Sequence, residues 1–167
     1  MIDLSLPPRQ VLAALINASN TEKLQVSDVD FGVPTVNSDH SRNTKIIVTA
    51  KPESPWDTYQ AFYYNRMHIG DDVFTTLNTD FTYVEGMTKA DLIAKINERW
   101  GINLTDDDYT MSELPSGNGT VTITAKPGSL NYIGAGDVRL IASKIPLDVA
   151  FPNNILDGLT YEPPATP

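Results

Sequence analysis

The chain has no cysteine. That excludes disulfides, a thiolate nucleophile and any Cys-ligated metal, and leaves packing and hydrogen bonds to hold the fold. Basic residues are scarce: 12 Lys and Arg stand against 21 Asp and Glu, a formal net charge of −9. A nucleic-acid backbone or an anionic lipid surface needs clustered cations, so neither is expected as a partner. The acidity reads first as solubility at high local concentration, and only second as a site for a basic partner. Long apolar runs are also missing, since nothing approaches the roughly 18 residues a membrane helix needs. The opening Met1-Ile2-Asp3-Leu4-Ser5-Leu6-Pro7-Pro8 lacks the basic and apolar regions of a secretion signal. A soluble protein made in the cytosol is the expectation.

Histidine is almost absent too, with only His40 and His68. A His-based catalytic set needs one of them beside a nucleophile and an orienting acid. His40 falls in the polar stretch Ser38-Asp39-His40-Ser41 and His68 just past an aromatic run, so surface or loop packing is the reading preferred to catalysis. No phosphate-binding loop, HExxH or nucleophile elbow occurs. Gly134-Ala135-Gly136-Asp137 is too short for a dinucleotide loop and leads into strand-like sequence. No enzymatic activity, catalytic residue or cofactor is therefore expected.

What is present is a globular composition, 41% hydrophobic and 20% charged, which sets the chain apart from disordered sequences. Twelve prolines and ten glycines point to many short elements, favouring a β-rich architecture over a helical bundle. The most informative pattern is a repeat. Thr44-Lys-Ile-Ile-Val-Thr-Ala-Lys-Pro52 returns as Thr120-Val-Thr-Ile-Thr-Ala-Lys-Pro127, and the flanks return in the same order. Leu12, Ile16 and Asn17 match Leu92, Ile96 and Asn97 at an offset of 80; Ser27–Phe31 matches Thr105–Tyr109 at 78. The shared Thr-Ala-Lys-Pro recurs at 75, and Trp56, Phe62 and Tyr64 match Tyr132, Val138 and Leu140 at 76. Thr82-Tyr83 matches Thr160-Tyr161 at 78.

Local signals fill in each copy. Pro8 opens a helix whose stripe is Val11, Leu12, Leu15 and Ile16. Strands are expected over Asp30–Val36, with Pro34 forcing an edge or a bulge, over 44–50, over Tyr59–Asn65, and at Asp80–Val84. A tight turn is expected between the second and third of these. Thr88 caps a second helix with Asp91 in the capping-box position, Leu92, Ile93, Ile96 and Trp100 face the core, and Gly101 ends it. Further strands are expected at 120–125 and 136–142. The fold class is α+β: two tandem copies of a helix plus a small antiparallel sheet, packed together or sharing a sheet. The units span 1–86 and 87–162, with 163–167 a frayed tail.

Two groups of side chains invite chemistry. The acidic turns Asp28-Val29-Asp30 and Asp106-Asp107-Asp108 offer hard oxygens for Ca²⁺, as Asp71-Asp72 does more weakly. Their spacing is not that of an EF-hand, and Ser27 and Thr105 stand where a cap or Asx-type turn places them, so capping is preferred and no metal site is assigned. The aromatics Trp56, Tyr59, Phe62, Tyr63 and Tyr64 are able to stack on sugar rings, but their strand spacing favours a sheet face or a protein interface. Trp56, Tyr59, Tyr63 and Tyr64 are the candidate interface. The sequons Asn17-Ala-Ser, Asn103-Leu-Thr and Asn118-Gly-Thr have little meaning without a secretion signal.

One likeness runs along nearly the whole chain. Its residues are Leu6-Pro7-Pro8 with the helix ending at Asn17, Phe31-Gly-Val-Pro-Thr-Val-Asn37, Asn43-Thr44 leading into Val48-Thr-Ala50, and Tyr63-Tyr-Asn-Arg66. In the second half they are Ile96-Asn97, Gly101-Ile-Asn-Leu-Thr105 and Thr122-Ile-Thr-Ala-Lys-Pro-Gly-Ser129. In these the chain resembles a family of virion structural proteins from large tailed bacteriophages. The resemblance implies a non-enzymatic component of the virion, synthesised in the host bacterial cytoplasm. An accessory protein decorating the capsid is the first expectation, and a tail, neck or baseplate component the alternative. The implied partners are a major capsid or tail protein and further copies of this chain, while a glycan- or Ca²⁺-binding module is the other class of function. A tandem pair suits assembly because two related surfaces bridge neighbours with added avidity.

Overall fold

The structure is a computed structural model that describes residues 2–38 and 41–143. His40, the Thr160-Tyr161 match and the tail 163–167 lie outside the described residues. Helix α1 (Pro8–Ala18) starts with Pro8 where a missing N–H costs nothing, and it buries Val11, Leu12 and Ile16. A 3₁₀ turn at Val26–Asp28 leads into β1 (Val29–Phe31) and β2 (Thr35–Val36). The single strand expected over 30–36 is broken at Gly32-Val33-Pro34, because Pro34 has no N–H to give the ladder.

Strands β3 (Thr44–Ala50) and β4 (Tyr59–Tyr64) follow the expected alternation, with Thr44, Ile46 and Val48 facing inward. The connection between them runs from Lys51 to Thr58, longer than the tight turn expected. β3 is the centre of the first sheet. It pairs antiparallel with β4 along one side and with β1 and β2 in series along the other.

After β5 (Met67–His68) comes a π-helical turn, Ile69–Phe74, which nothing in the sequence pattern announces. β6 is Asp80–Tyr83. Helix α2 (Lys89–Trp100) has the full capping box at Thr88 and Asp91, and Gly101 ends it at φ 60°. Strands β7 (Tyr109–Met111), β8 (Gly119–Ala125), β9 (Tyr132–Ile133) and β10 (Ala135–Ala142) complete the described chain. The second sheet has the order β6-β10-β8-β7, with β6 parallel to β10 and the other pairs antiparallel.

The architecture is α+β, with two helices and several small sheets. Each helix covers a sheet. Leu12 and Ile16 of α1 pack with Val29, Ile46, Val48 and Tyr64 of the first. Leu92, Ile93 and Ile96 of α2 pack with Val121, Ile123, Val138 and Leu140 of the second. The second core also takes Ile69, Val73, Phe74 and Phe81, which precede α2 in the chain. The halves are thereby interlocked.

Candidate assembly surface

The polar side chains bonded within the fold define what is not surface. Asn17 Nδ2 donates to the Leu24 carbonyl at 2.9 Å while its Oδ1 accepts from Leu24 N at 2.7 Å. Asn97 makes the same two bonds to Leu104, at 3.0 and 2.9 Å. Each closes the loop after its helix with one side chain, satisfying a backbone donor and acceptor together. Arg66, buried at 5% exposure, joins the halves. Its Nε donates to Thr44 Oγ1, and its Nη1 donates to the carbonyls of Pro127 and Ser129, at 3.1 and 3.0 Å. Such charge-assisted bonds are the stronger kind. Beside it the Tyr64 hydroxyl donates to the Leu130 carbonyl at 2.7 Å, and burial pushes the Tyr64 pKa up to about 12.

Most of the acidic-turn aspartates face solvent: Asp30, Asp106 and Asp107 are exposed and Asp28 is half-buried. Asp108 is buried; one carboxylate oxygen accepts from Thr105 N and Oγ1 and the other from Ser129 Oγ. The caps expected at Ser27 and Thr105 are thus not formed as expected: Thr105 Oγ1 donates to the Asp108 carboxylate, and Ser27 Oγ donates to Asp28 Oδ1. Among the described residues no three His, Asp or Glu side chains converge as a metal-binding group. His68 Nδ1 accepts from Asp71 N at 3.3 Å at the head of the π-helical turn, and the His68 backbone N–H donates to Asp72 Oδ2. Gly134 lies so close to the His68 ring that a Cβ there would meet it at 1.9 Å.

The outer faces of the two sheets differ. In an antiparallel ladder directly opposed residues share a face. On the first sheet the outward pairs are Lys45 with Tyr63, Ile47 with Ala61 and Thr49 with Tyr59. Ile47 is 45% exposed and Tyr59 69% exposed, and Lys45 Nζ lies 5.9 Å from the Tyr63 ring centre. On the second sheet the same positions are Thr120 with Arg139, Thr122 with Asp137 and Thr124 with Ala135. The first face is thus mainly aromatic and aliphatic, beside Lys45 and Thr49; the second is mainly threonine with Asp137 and Arg139, and Ile141 beside them is 39% exposed. Solvent suits the second composition better than the first.

The first sheet also ends differently. β10 carries β6 on its outer edge, whereas β4 pairs only with β3 among the described residues. The outer edge of β4, Tyr-Gln-Ala-Phe-Tyr-Tyr, holds no charge or proline, the usual devices that blunt an open edge.

A family model matches residues 1–166, a family of unknown function designated DUF7941. The chain belongs to that family. No curated protein and no solved structure matches it. No helix among the described residues is long and apolar enough to cross a membrane.

Of the four aromatics singled out from the DUF7941 sequence, Tyr59 and Tyr63 stand on the outer face of the first sheet. Trp56 is half-buried on the inner side, lining a hollow with Leu24, Val29 and Val48, and its buried Nε1 has no hydrogen-bond partner among the described residues. Tyr64 is 7% exposed and lies between the halves, pointing away from the outer face. Ile47 and Ala61 complete the face but escaped notice in the sequence. The alternation of β3 and β4 marks both as outward, yet only the ladder register sets them beside Tyr59 and Tyr63.

Proposed function

We propose that this protein is a non-enzymatic structural component of a tailed-phage virion, made of two tandem copies of one α+β unit. It attaches to its major structural partner through the outer face of the first sheet. The capsid is the first place assigned to it, and tail, neck or baseplate the second.

The tandem reading is supported by bonds that recur pair for pair. Beside the Asn17 and Asn97 clasps, Ser54 N donates to Lys51 O and Ser129 N to Lys126 O, both at 3.0 Å. Ala50 N donates to Thr58 O and Ala125 N to Gly134 O, and both acceptors have positive φ, 62° and 71°. The strain of a left-handed Thr58 argues that the turn is kept for its geometry. Asn43 Oδ1 accepts from Arg66 N, and Asn118 Oδ1 from Ala142 N. The ladders refine one correspondence. Val29 opposes Ala50 as Tyr109 opposes Ala125, so Val29, not Phe31, is the counterpart of Tyr109. The helix offset of 80 therefore extends through the first strand, and the shortening falls in the loop after it.

The attachment reading is carried by the contrast between the two outer faces. One scaffold occurs twice, and only the first copy presents Ile47, Tyr59 and Tyr63. The virion setting rests on the sequence resemblance. The test replaces Ile47, Tyr59 and Tyr63 by Thr, which suits a strand and imitates the other face. The variant is expected to melt like wild type and to be missing from purified particles. Particles carrying it in full number overturn the attachment surface. A particle map that loses density on deleting the gene assigns head or tail.

A further inference from the structure

The two halves share one turn, and the second half shows what that turn can hold. Ser129 N donates to Lys126 O there as Ser54 N donates to Lys51 O in the first half, both at 3.0 Å. The serine hydroxyls accept from Tyr132 N and Trp56 N, at 3.3 and 3.2 Å. Asp108 O and Asp28 O likewise accept from Lys126 N and Lys51 N. The two backbones therefore have the same hydrogen-bonded shape. In the second half the Pro127 and Ser129 carbonyls together take Nη1 of Arg66, at 3.1 and 3.0 Å. A guanidinium suits such a pair of acceptors because it carries several donors and no acceptor, and stays charged even when buried.

In the first half the Pro52 and Ser54 carbonyls accept from no group among the described residues. Pro52 and Pro127 are both exposed, and so are Glu53 and Gly128. The turns part at the serine, half-buried at 54 and 2% exposed at 129, where Arg66 sits. The charge around them parts as well. A hollow of about 530 Å³ lies against residues 51–54, and Asp28, Asp30, Glu53 and Lys51 line it. Three carboxylates there stand against one ammonium, with Lys51 Nζ 3.7 Å from Asp30 Oδ1. The counterparts are Asp108, Thr110, Gly128 and Lys126, one carboxylate and one ammonium. Asp108 is held by Thr105 and Ser129, whereas Asp28 accepts only from Ser27 Oγ among the described residues, at 3.1 Å. The second half has a turn matched to one internal cation. The first has the same turn with two exposed acids added.

We infer that residues 51–54 receive an arginine of a partner protein, its guanidinium donating to the Pro52 and Ser54 carbonyls beside Asp28, Asp30 and Glu53. The inference rests on the tandem reading, and it concerns the loop after β3 rather than the outer face of the first sheet. The chain's own arginines do not supply the guanidinium. Arg66, Arg99 and Arg139 are bonded elsewhere in the fold. Arg9 lines a hollow with Thr105 and Asp107, and Arg42 lines a groove with Leu15 and Asn20. Residues 144–167 hold no arginine. Charge also sets the kind of partner. On a chain of net charge −9, a basic segment is drawn in from a distance and an acidic one is turned away.

The chain supplies its own probe. Acetyl-Tyr-Asn-Arg-Met-amide repeats residues 64–67, and the same peptide with citrulline for arginine keeps the shape and loses the charge. Added to the isotope-labelled full chain, the arginine peptide is expected to shift the amide resonances of Lys51, Glu53 and Ser54. The citrulline peptide is expected to bind about tenfold more weakly. Asp30→Thr with Glu53→Gly installs the residue types of the second half at two exposed positions. That variant is expected to melt like wild type and to bind the arginine peptide about fivefold more weakly. No shift at those amides with about 10 mM arginine peptide, beyond the millimolar range of weak binding, overturns the site. Equal shifts from both peptides, or full binding by the double variant, overturn recognition by charge. Shifts that appear on concentrating the protein alone, and vanish in Arg9→Gln or Arg42→Gln, overturn a foreign partner in favour of a second copy. The tandem reading is judged apart, on whether Asn17→Ala and Asn97→Ala both weaken the fold. Silent amides with both asparagine variants weakened therefore remove the arginine site alone.

Discussion

At the scale of single residues, the side chains that matter most for stability are polar. Asn97 satisfies both backbone groups of Leu104, a residue 3% exposed, so truncation leaves a donor and an acceptor buried without partners. Each such group costs about 1–3 kcal/mol, so Asn97→Ala is expected to destabilise by about 2–4 kcal/mol. Asn17→Ala breaks the same clasp, but Leu24 is only half-buried and water reaches it, so a loss of about 1–2 kcal/mol is expected. Urea unfolding with unchanged m-values checks both, and equal or reversed costs contradict the burial argument. Tyr64 adds a pH dependence. Its hydroxyl holds its proton in the fold up to about pH 12, against an ordinary value of 10.0. Between those values the unfolded chain is ionised and the folded one is not, so the unfolded state binds fewer protons and stability falls as pH rises. The contribution is whole below pH 10 and is lost through about 12, on the order of 2–3 kcal/mol. Burial pushes Tyr109 and Tyr132 upward as well. Tyr64→Phe is expected to lose about 1 kcal/mol at neutral pH, from the bond to Leu130, and to show a shallower alkaline decline than wild type.

At the scale of elements, what was legible in the sequence is what local rules decide. The capping box at Thr88, the stop at Gly101, the stripes of α1 and α2, and strands β3, β4, β8 and β10 all follow from caps and periodicity, which act within a few residues. The π-helical turn was not legible, because it exists only by contact with a distant strand. A Cβ on Gly136 would lie 2.6 Å from the Phe74 ring and 2.9 Å from the Gly70 backbone, and one on Gly70 would lie 2.5 Å from the Ala135 carbonyl. Two glycines thus let a helical turn settle onto the backbone of β10. Read along the chain, Gly70 looks like a loop residue and Gly136 like half of a truncated nucleotide motif. The outer face of the first sheet was half legible for a similar reason: Tyr59 and Tyr63 stand out by type, whereas Ile47 and Ala61 gain meaning only from register. Gly136→Ala tests the close approach. Backbone on the opposing side gives way less than a side chain does, so a loss of about 1–3 kcal/mol or more is expected. Hydrogen exchange should show it first in the amides of 69–74 and 135–142, and an undisturbed turn would mean that the two segments separate at little cost.

At the scale of the whole molecule, the repeat in the sequence and the cohesion of the fold divide the chain in different places. By sequence, the second unit begins near Met87. By packing, its core already includes Ile69, Val73, Phe74 and Phe81, each no more than 5% exposed. Burying one such side chain contributes about 1.5–3 kcal/mol, so the four together supply about 6–12 kcal/mol. That is comparable to the entire stability of a small domain, about 5–15 kcal/mol. β6 also covers the edge of β10 and anchors Arg139 through Asp80. A fragment beginning at Met87 therefore keeps the repeat intact and loses what makes its core cohere, and it is expected to show no cooperative thermal transition. A fragment beginning at Asn65 restores β5, the π-helical turn and β6, and it is expected to melt cooperatively with near-native circular dichroism. A cooperative transition for the shorter fragment, at a midpoint close to that of the full chain, would show that the strand lent by the first half is an accessory. The more natural consequence of the observed packing is the opposite: a half that lends a strand forward to its neighbour cannot be cut at its sequence boundary without unfolding that neighbour.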